Sequence, residues 1–223
     1  MNSKDGWAER TEQRVLDAAI KRAPRTGWTY TLLDRAAKDC GLSRGDAELL
    51  FPNGVKDLAA LLSRRHDDGA SAALAGVDPK SLKIRERIAR GIDARLDAAA
   101  ADEPATRRWA GYLALPMNAP LGLSLAWETA DKIWRWAGDE ATDENHYSKR
   151  AILSGILIPA LGIRLREGEE AAKAFVAARI ENVMAFEKWK AGVKPMATAR
   201  AFARALGRKR YGPAEQTFPP PEA

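Results

Sequence analysis

The chain has 223 residues, 46% of them hydrophobic and 30% charged, a balance that supports a sizeable buried core in a soluble globular protein. Cys40 is the single cysteine, which excludes an internal disulfide and fits a reducing compartment. The net charge of +6 resides in one acid-free stretch, where Lys194, Arg200, Arg204, Arg208, Lys209 and Arg210 lie, and the rest of the chain is balanced, unlike a broadly basic nucleic-acid binder.

Apolar periodicity predicts about nine helices and no strand; frequent Ala and Arg with few β-branched runs agree. Residues Met1 to Arg14 are polar and enter helical periodicity at once, so neither a secretory signal nor a transit peptide is visible. Helix one covers about Ala8–Ala23 and ends at Pro24 and Gly27. Helix two runs Thr29–Cys40 and stops at Gly41, and Ser43 caps a short third helix, Ser43–Leu50. Helix four is long, Val55–Ala75. Asp78-Pro79 opens helix five, to Ala101, and Glu103-Pro104 opens helix six, to Leu115. Helix seven spans Leu121–Ala137. Helix eight, Asp143–Arg166, is almost wholly apolar from Ala151 to Ile163, too short and interrupted to span a bilayer, with a kink expected at Pro159. Helix nine covers Glu169–Lys190. A detached helix comes next over Met196–Lys209, then a Pro-rich tail, Tyr211–Ala223, expected to be disordered.

Catalytic signatures fail on context. Gly41-Leu42-Ser43-Arg44-Gly45 fits the hydrolase G-x-S-x-G, but that motif needs a preceding strand, and here a helix precedes it; Ser43 reads as a helix cap. His66 and His146 are the only histidines, and with one Cys they build no familiar metal site. Helices one to three form a helix-turn-helix pattern that, with an all-helical remainder, resembles the TetR-type regulator architecture. The third helix carries Asp46, Glu48 and Gly45 beside Arg44, a face unsuited to phosphate.

Helices six to eight hold more apolar surface than an amphipathic helix needs. Trp109, Leu113, Leu115 and Met117 lead into Leu121, Leu125, Trp127 and Ile133, and Ile152, Ile156, Leu157 and Leu161 lie on helix eight. These residues either fill a thick bundle core or line a long apolar ligand cavity. The detached helix sets Met196, Phe202 and Leu206 against Arg200, Arg204, Arg208, Lys209 and Arg210, a pattern suited to an anionic bilayer or to packing on protein. Residues 131–150 gather two Trp, a Tyr, a His and several acids around Gly138, read either as a contact surface or as a capped helix corner over Trp134 and Trp136.

The sequence is similar to one family, the TetR-like, lipid-binding accessory proteins of coenzyme Q (ubiquinone) biosynthesis, over about Glu12 to Lys190. Gly27-Trp28-Thr29, Gly41-Leu42-Ser43 and Leu115-Pro116-Met117-Asn118-Ala119-Pro120 carry the resemblance. Its most specific part runs from Asp131 through Trp134, Ala137, Gly138, Asp139, Thr142, Asp143, Asn145, Tyr147, Lys149 and Arg150 to Ala151. It implies an all-α, TetR-like bundle with an N-terminal helix-turn-helix and a C-terminal amphipathic helix. It also implies a non-enzymatic protein without cofactor or DNA binding, holding an isoprenoid or quinone lipid and presenting it to a di-iron demethoxyubiquinone hydroxylase. The partner surface implied is Asp131, Trp134, Asp139, Asp143, Asn145, His146, Tyr147 and Arg150; His146 replaces the family's usual Trp, losing a large apolar contact. The terminal helix is more Arg-rich than the family's, so anchoring would lean on charge.

The expected organisation is a helix-turn-helix part over 1–54, a lipid-binding bundle over 55–192, a basic amphipathic helix over 193–210 and a tail over 211–223. A homodimer through helices eight and nine is expected, as is a bacterial setting, cytoplasmic and peripheral on the inner face of the plasma membrane. The rival reading is a TetR-type ligand-responsive regulator using the same pocket for an effector.

Overall fold

Glycine and capping chemistry set the helix ends. The computed structural model describes residues 3–140 and 144–192, which form nine α-helices and two 3-10 turns and contain no strand. Helix α1 is Ser3–Thr26, α2 Tyr30–Asp39 and α3 Arg44–Leu50. Gly27 and Gly41 adopt φ of 70° and 75°, a left-handed conformation that stops a helix at little cost only in glycine. Thr29 caps α2, its hydroxyl accepting from the Leu32 N–H at 3.3 Å. Ser43 caps α3 reciprocally: its hydroxyl accepts from the Asp46 N–H at 3.1 Å, while the Asp46 carboxylate accepts from the Ser43 N–H at 3.2 Å. Ser43 is therefore a cap and does not sit on a nucleophile elbow.

Helices α4 (Val55–Leu74), α5 (Ile84–Ala100), α6 (Glu103–Leu113), α7 (Ala119–Trp136), α8 (Glu144–Glu167) and α9 (Glu169–Gly192) complete the fold. Three expected boundaries move for identifiable reasons. Helix α1 runs through Pro24 to Thr26, because a proline this close to the end deletes one N–H without breaking the last two residues of the helix. Pro79–Ser81 is a separate 3-10 turn capped by Asp78, and α5 begins only at Ile84, where the Glu86 carboxylate takes the Lys83 N–H at 3.0 Å. Leu115 precedes Pro116 and is pushed to extended backbone (φ −65°, ψ 137°), so α6 stops at Leu113 and a turn, Pro116–Asn118, leads into α7. Pro159 lies inside α8 without ending it.

Residues 1–180 make one compact unit with two groups of buried side chains. The first joins Leu16 and Ala19 of α1, Leu32 of α2, Leu58 and Leu62 of α4, Trp109 of α6 and Leu125 of α7, running uninterrupted across residue 54. The second joins Ile88 and Ile92 of α5, Ala130 and Ile133 of α7, Leu153 and Leu157 of α8 and Val176 of α9. Helices α5 and α7 meet closely at Gly91, where an added Cβ would lie 2.7 Å from the Ile133 side chain. The second unit is 181–223, helical over its described residues, 181–192. The basic helix expected at 193–210 and the tail at 211–223 lie outside the described residues. No described helix is long and apolar enough to cross a membrane.

In helix α3 the basic residue Arg44 pairs with Glu48 at 2.8 Å, and Asp46, the partner of the Ser43 cap, lies in the first turn.

Candidate functional site

A cavity of about 540 Å³ opens between the two buried groups, a size typical of small-molecule sites. Its wall combines Trp109 and Leu125 from the first group with Leu96 and Leu157 from the second, so the helices stand apart here and do not interdigitate. Small residues keep the space open: Ala110 and Gly111 on α6, Ala114 just after it, Gly122 and Ala126 on α7, and Gly162 on α8. The Trp109 indole is held by its N–H, which donates to the Ala59 carbonyl at 2.9 Å. Gly111, Ala114, Leu123 and Ile158 line the cavity and are also exposed, which locates the mouth among α6, α7 and α8. No charged residue lies between Arg108 and Glu128, nor between Arg150 and Arg164, so the stretches of chain that bear the mouth residues carry no charge of their own.

The opposite wall is polar. Asp67 on α4 and Arg95 on α5 form a buried ion pair, Nε to Oδ1 2.7 Å, with side chains 3% and 7% exposed. The Thr129 hydroxyl donates to the same Asp67 oxygen at 2.8 Å, and Lys132 reaches the other carboxylate oxygen at 3.3 Å. Arg95 Nη2 donates to the Ser63 hydroxyl at 3.3 Å. Ser63, Arg95 and Thr129 all line the cavity. Nearby, His66 is buried edge-on against Trp109 with neither ring nitrogen hydrogen-bonded. Burial, reinforced by the charges of Arg95 and Arg65, lowers its pKa to about 3, so the ring is neutral.

Five residues expected from the sequence line this cavity: Trp109, Leu113, Leu125, Leu157 and Leu161. Seven do not. Ile133 and Ile156 fill the second buried group, because α7 and α8 also pack on α5. Leu121 packs against the first group, Leu115, Met117 and Ile152 are exposed, and Trp127 stacks on Tyr147 with ring centroids 6.2 Å apart. Sequence reading confined the cavity to helices six to eight; α4 and α5 also wall it. Arg95 falls on the buried stripe Ile88, Ile92, Leu96, Ala99, and Asp67 and Ser63 fall on the stripe Leu62, His66, Ala70, Leu74. Opposite charges on the apolar faces of consecutive helices were the readable signal.

The α7–α8 corner is a charge network. Gly138, at φ 87°, ends α7 in a Schellman turn, with the Asp139 N–H on the Trp134 carbonyl at 2.9 Å and the Gly138 N–H on the Arg135 carbonyl at 3.0 Å. That turn aims the Asp139 carboxylate at α8. Arg150, its side chain 2% exposed, donates to Asp131 at 2.6 Å, to Asp139 at 3.0 Å and to the His146 carbonyl at 3.1 Å. Lys149 pairs with Asp139 at 2.6 Å and lies over the Trp134 ring, 5.2 Å from its centre. The Trp134 N–H donates to the Lys149 carbonyl at 3.2 Å. Burial pushes the Asp131 and Asp139 carboxyls up, but hydrogen bonds from Arg150, with Arg135 on Asp131 and Lys149 on Asp139, outweigh it and hold both below the usual carboxylate range.

The structure thus brings Asp131, Trp134, Asp139 and Arg150 together as the internal tie of a capped corner. Of the remaining expected partner residues, Tyr147 is 63% exposed, Asn145 is exposed and His146 half-buried. Asp143 lies outside the described residues, as do all the expected membrane residues from Met196 to Arg210. Among the described residues no cluster of His, Cys, Asp and Glu is arranged to hold a metal ion.

Comparison with known proteins places these features. The COQ9 family profile matches residues 119–187, from the cavity mouth on α7 through the corner and α8 into α9. The chain is 30% identical over 158 residues to the ubiquinone biosynthesis protein COQ9, mitochondrial, of Rattus norvegicus, covering 66% of this chain and 49% of the relative. The Homo sapiens protein of the same name is 29% identical over 158 residues, covering 66% and 48%, and that of Xenopus tropicalis 29% over 159 residues, covering 66% and 49%. The chain spans about half the length of the curated relatives it matches. The matched segment takes in α7, the corner, α8 and much of α9; over it the chain is similar to COQ9 proteins, and its described residues form an all-α, TetR-like bundle.

Proposed function

We propose that this protein is a non-enzymatic lipid-binding factor of ubiquinone biosynthesis. It holds an isoprenoid or quinone intermediate in the α4–α8 cavity and presents it to a pathway hydroxylase. The observation that carries the reading is the 540 Å³ cavity itself, walled mostly by alkyl and aromatic side chains, with its mouth on stretches of α6, α7 and α8 that carry no charge of their own. A prenyl chain gains about 0.8 kcal/mol for each methylene kept from water, so such a cavity retains the chain while it leaves the bilayer. The exposed Leu123 and Ile158 at the mouth suit contact with the acyl region of a membrane. The basic segment 194–210 supplies attraction to anionic head groups from a different part of the chain. Tyr147, with Trp127 beneath it, is the accessible part of the corner and the place for the partner enzyme to touch. The names of the relatives support the pathway, and those relatives are mitochondrial; a bacterial, membrane-peripheral setting is part of the proposal.

The test is organic extraction of the purified protein followed by mass spectrometry. Recovery of prenylated ring compounds at a substantial fraction of one per chain is expected. Extracts with no more of them than an unrelated helical protein purified alongside would overturn the reading.

A further inference from the structure

The buried wall of the cavity carries hydrogen-bond donors that no protein group uses. Arg95 has five N–H groups. Nε goes to Asp67 and one N–H of Nη2 goes to Ser63, and Nη1 has no hydrogen-bond partner among the described residues. The Arg95 side chain borders this cavity and also the smaller hollow lined by Asp67, Lys132 and Trp136, and Nη2, which reaches the cavity-lining Ser63, has a second N–H left over. The Ser63 hydroxyl accepts from Arg95 and keeps its own proton available. Thr129, hydrogen-bonded to Asp67, completes the wall. These three are buried, whereas Leu123 and Ile158 at the mouth are exposed, so the donors sit at the inner end and the hydrocarbon surface runs outward from them.

A wholly apolar ligand does not fit this end. Hydrocarbon against the guanidinium would strip its spare donors of their water and return nothing, a loss comparable to leaving a buried charged donor unpaired. An acceptor oxygen restores the hydrogen bond, with the strength of one made to a charged partner. Asp67 already answers Arg95, Lys132 and Thr129, so the site does not require a second cation from the ligand.

Resting on the lipid-cavity reading above, we infer that the ligand is an amphiphile bound head-inward. An acceptor oxygen, a ring carbonyl or a carboxylate, faces Arg95 and Ser63, and its hydrocarbon chain extends past Trp109 and Leu113 to the mouth.

The full chain is equilibrated with phosphatidylcholine vesicles carrying one radiolabelled probe each: a two-isoprene benzoquinone, hexadecanoate or hexadecane. Bound probe is counted after gel filtration. Wild type should hold the quinone or the hexadecanoate at least about 10-fold more tightly than hexadecane. Preference for the quinone identifies a neutral carbonyl head, and preference for hexadecanoate an anionic one; either supports the inference. Ser63→Ala leaves the Arg95–Asp67 pair intact, and Arg95→Lys keeps the charge while removing donors. Each should erode the preference for the headed probe by several-fold and leave hexadecane binding unchanged, with circular dichroism melts confirming folded protein. Equal binding of all three probes, unaltered by the variants, would overturn the head-inward inference while leaving the lipid cavity intact. Binding of none would remove the lipid reading itself and this inference with it.

Discussion

Replacing Arg150 with Met leaves Asp131 and Asp139 deprived of the guanidinium that joins them, with Lys149 and Arg135 as their remaining cations. Breaking a buried ion network by removing one partner commonly costs about 3–5 kcal/mol. Arg150→Met should therefore lower the urea midpoint strongly, whereas Tyr147→Ala, at an exposed position of the same corner, should barely move it. Both carboxyls have folded pKa values below their unfolded ones. Their contribution is complete above the ordinary carboxylate pKa of about 4 and is lost as pH falls through the folded values. His66 acts at higher pH. Its folded pKa of about 3 lies below the unfolded value of about 6.5, so protonation of the unfolded chain erodes stability on acidification from about pH 6.5. The loss should reach about 2 kcal/mol by about pH 5. Denaturant titrations between pH 7 and 5 should show this slope in wild type and its absence in His66→Leu; an unchanged slope would show that some other group carries it.

At the scale of elements, close approach and turn chemistry make the sharpest predictions. Gly91→Ala improves helix propensity by about 1 kcal/mol in an exposed helix, but here the new methyl meets Ile133 at 2.7 Å. Overpacking of this kind costs about 1–3 kcal/mol, so the net effect should be a lower melting temperature. The second change Ile133→Ala removes the Cγ2 methyl that the new Cβ meets, so it should cost less in Gly91→Ala than in wild type, a coupling that a propensity effect alone would not give. Gly138→Ala places a Cβ at φ 87° and should cost about 1–2 kcal/mol, loosening the turn that aims Asp139 at Arg150. The helices themselves were legible because their apolar residues recur at three and four. Their ends were less so: Pro24, Pro79 and Pro116 read as boundaries, yet each acts only through its own ring and its predecessor's backbone. The corner was visible as a cluster, but that Arg150 is enclosed and Tyr147 presented comes from the rotation of α8 on α7, which spacing does not encode.

For the whole molecule, the decisive point is that two packed groups of helices leave a hollow between them. Periodicity could name the apolar faces of α6, α7 and α8, and five of the twelve candidates do line the cavity. It could not separate Leu125, on the wall, from Ile133 two turns on, which fills the core, because both lie on one stripe of α7. It passed over Arg95 and Ser63 because apolar periodicity marks only apolar residues. Filling the hollow should abolish function without unfolding the chain. Ala126 lines the cavity and is half-buried on α7, so Ala126→Trp projects an indole into the space a ligand would take. Native mass spectrometry of the purified wild type and of Ala126→Trp is the most direct trial. Wild type should carry an added mass in the prenyl-lipid range that collisional activation releases, and the variant should fly at the mass of the bare chain while melting within a few degrees of wild type. A wild type with no adduct even after incubation with prenyl-quinone vesicles, or an adduct undiminished in Ala126→Trp, would contradict the account.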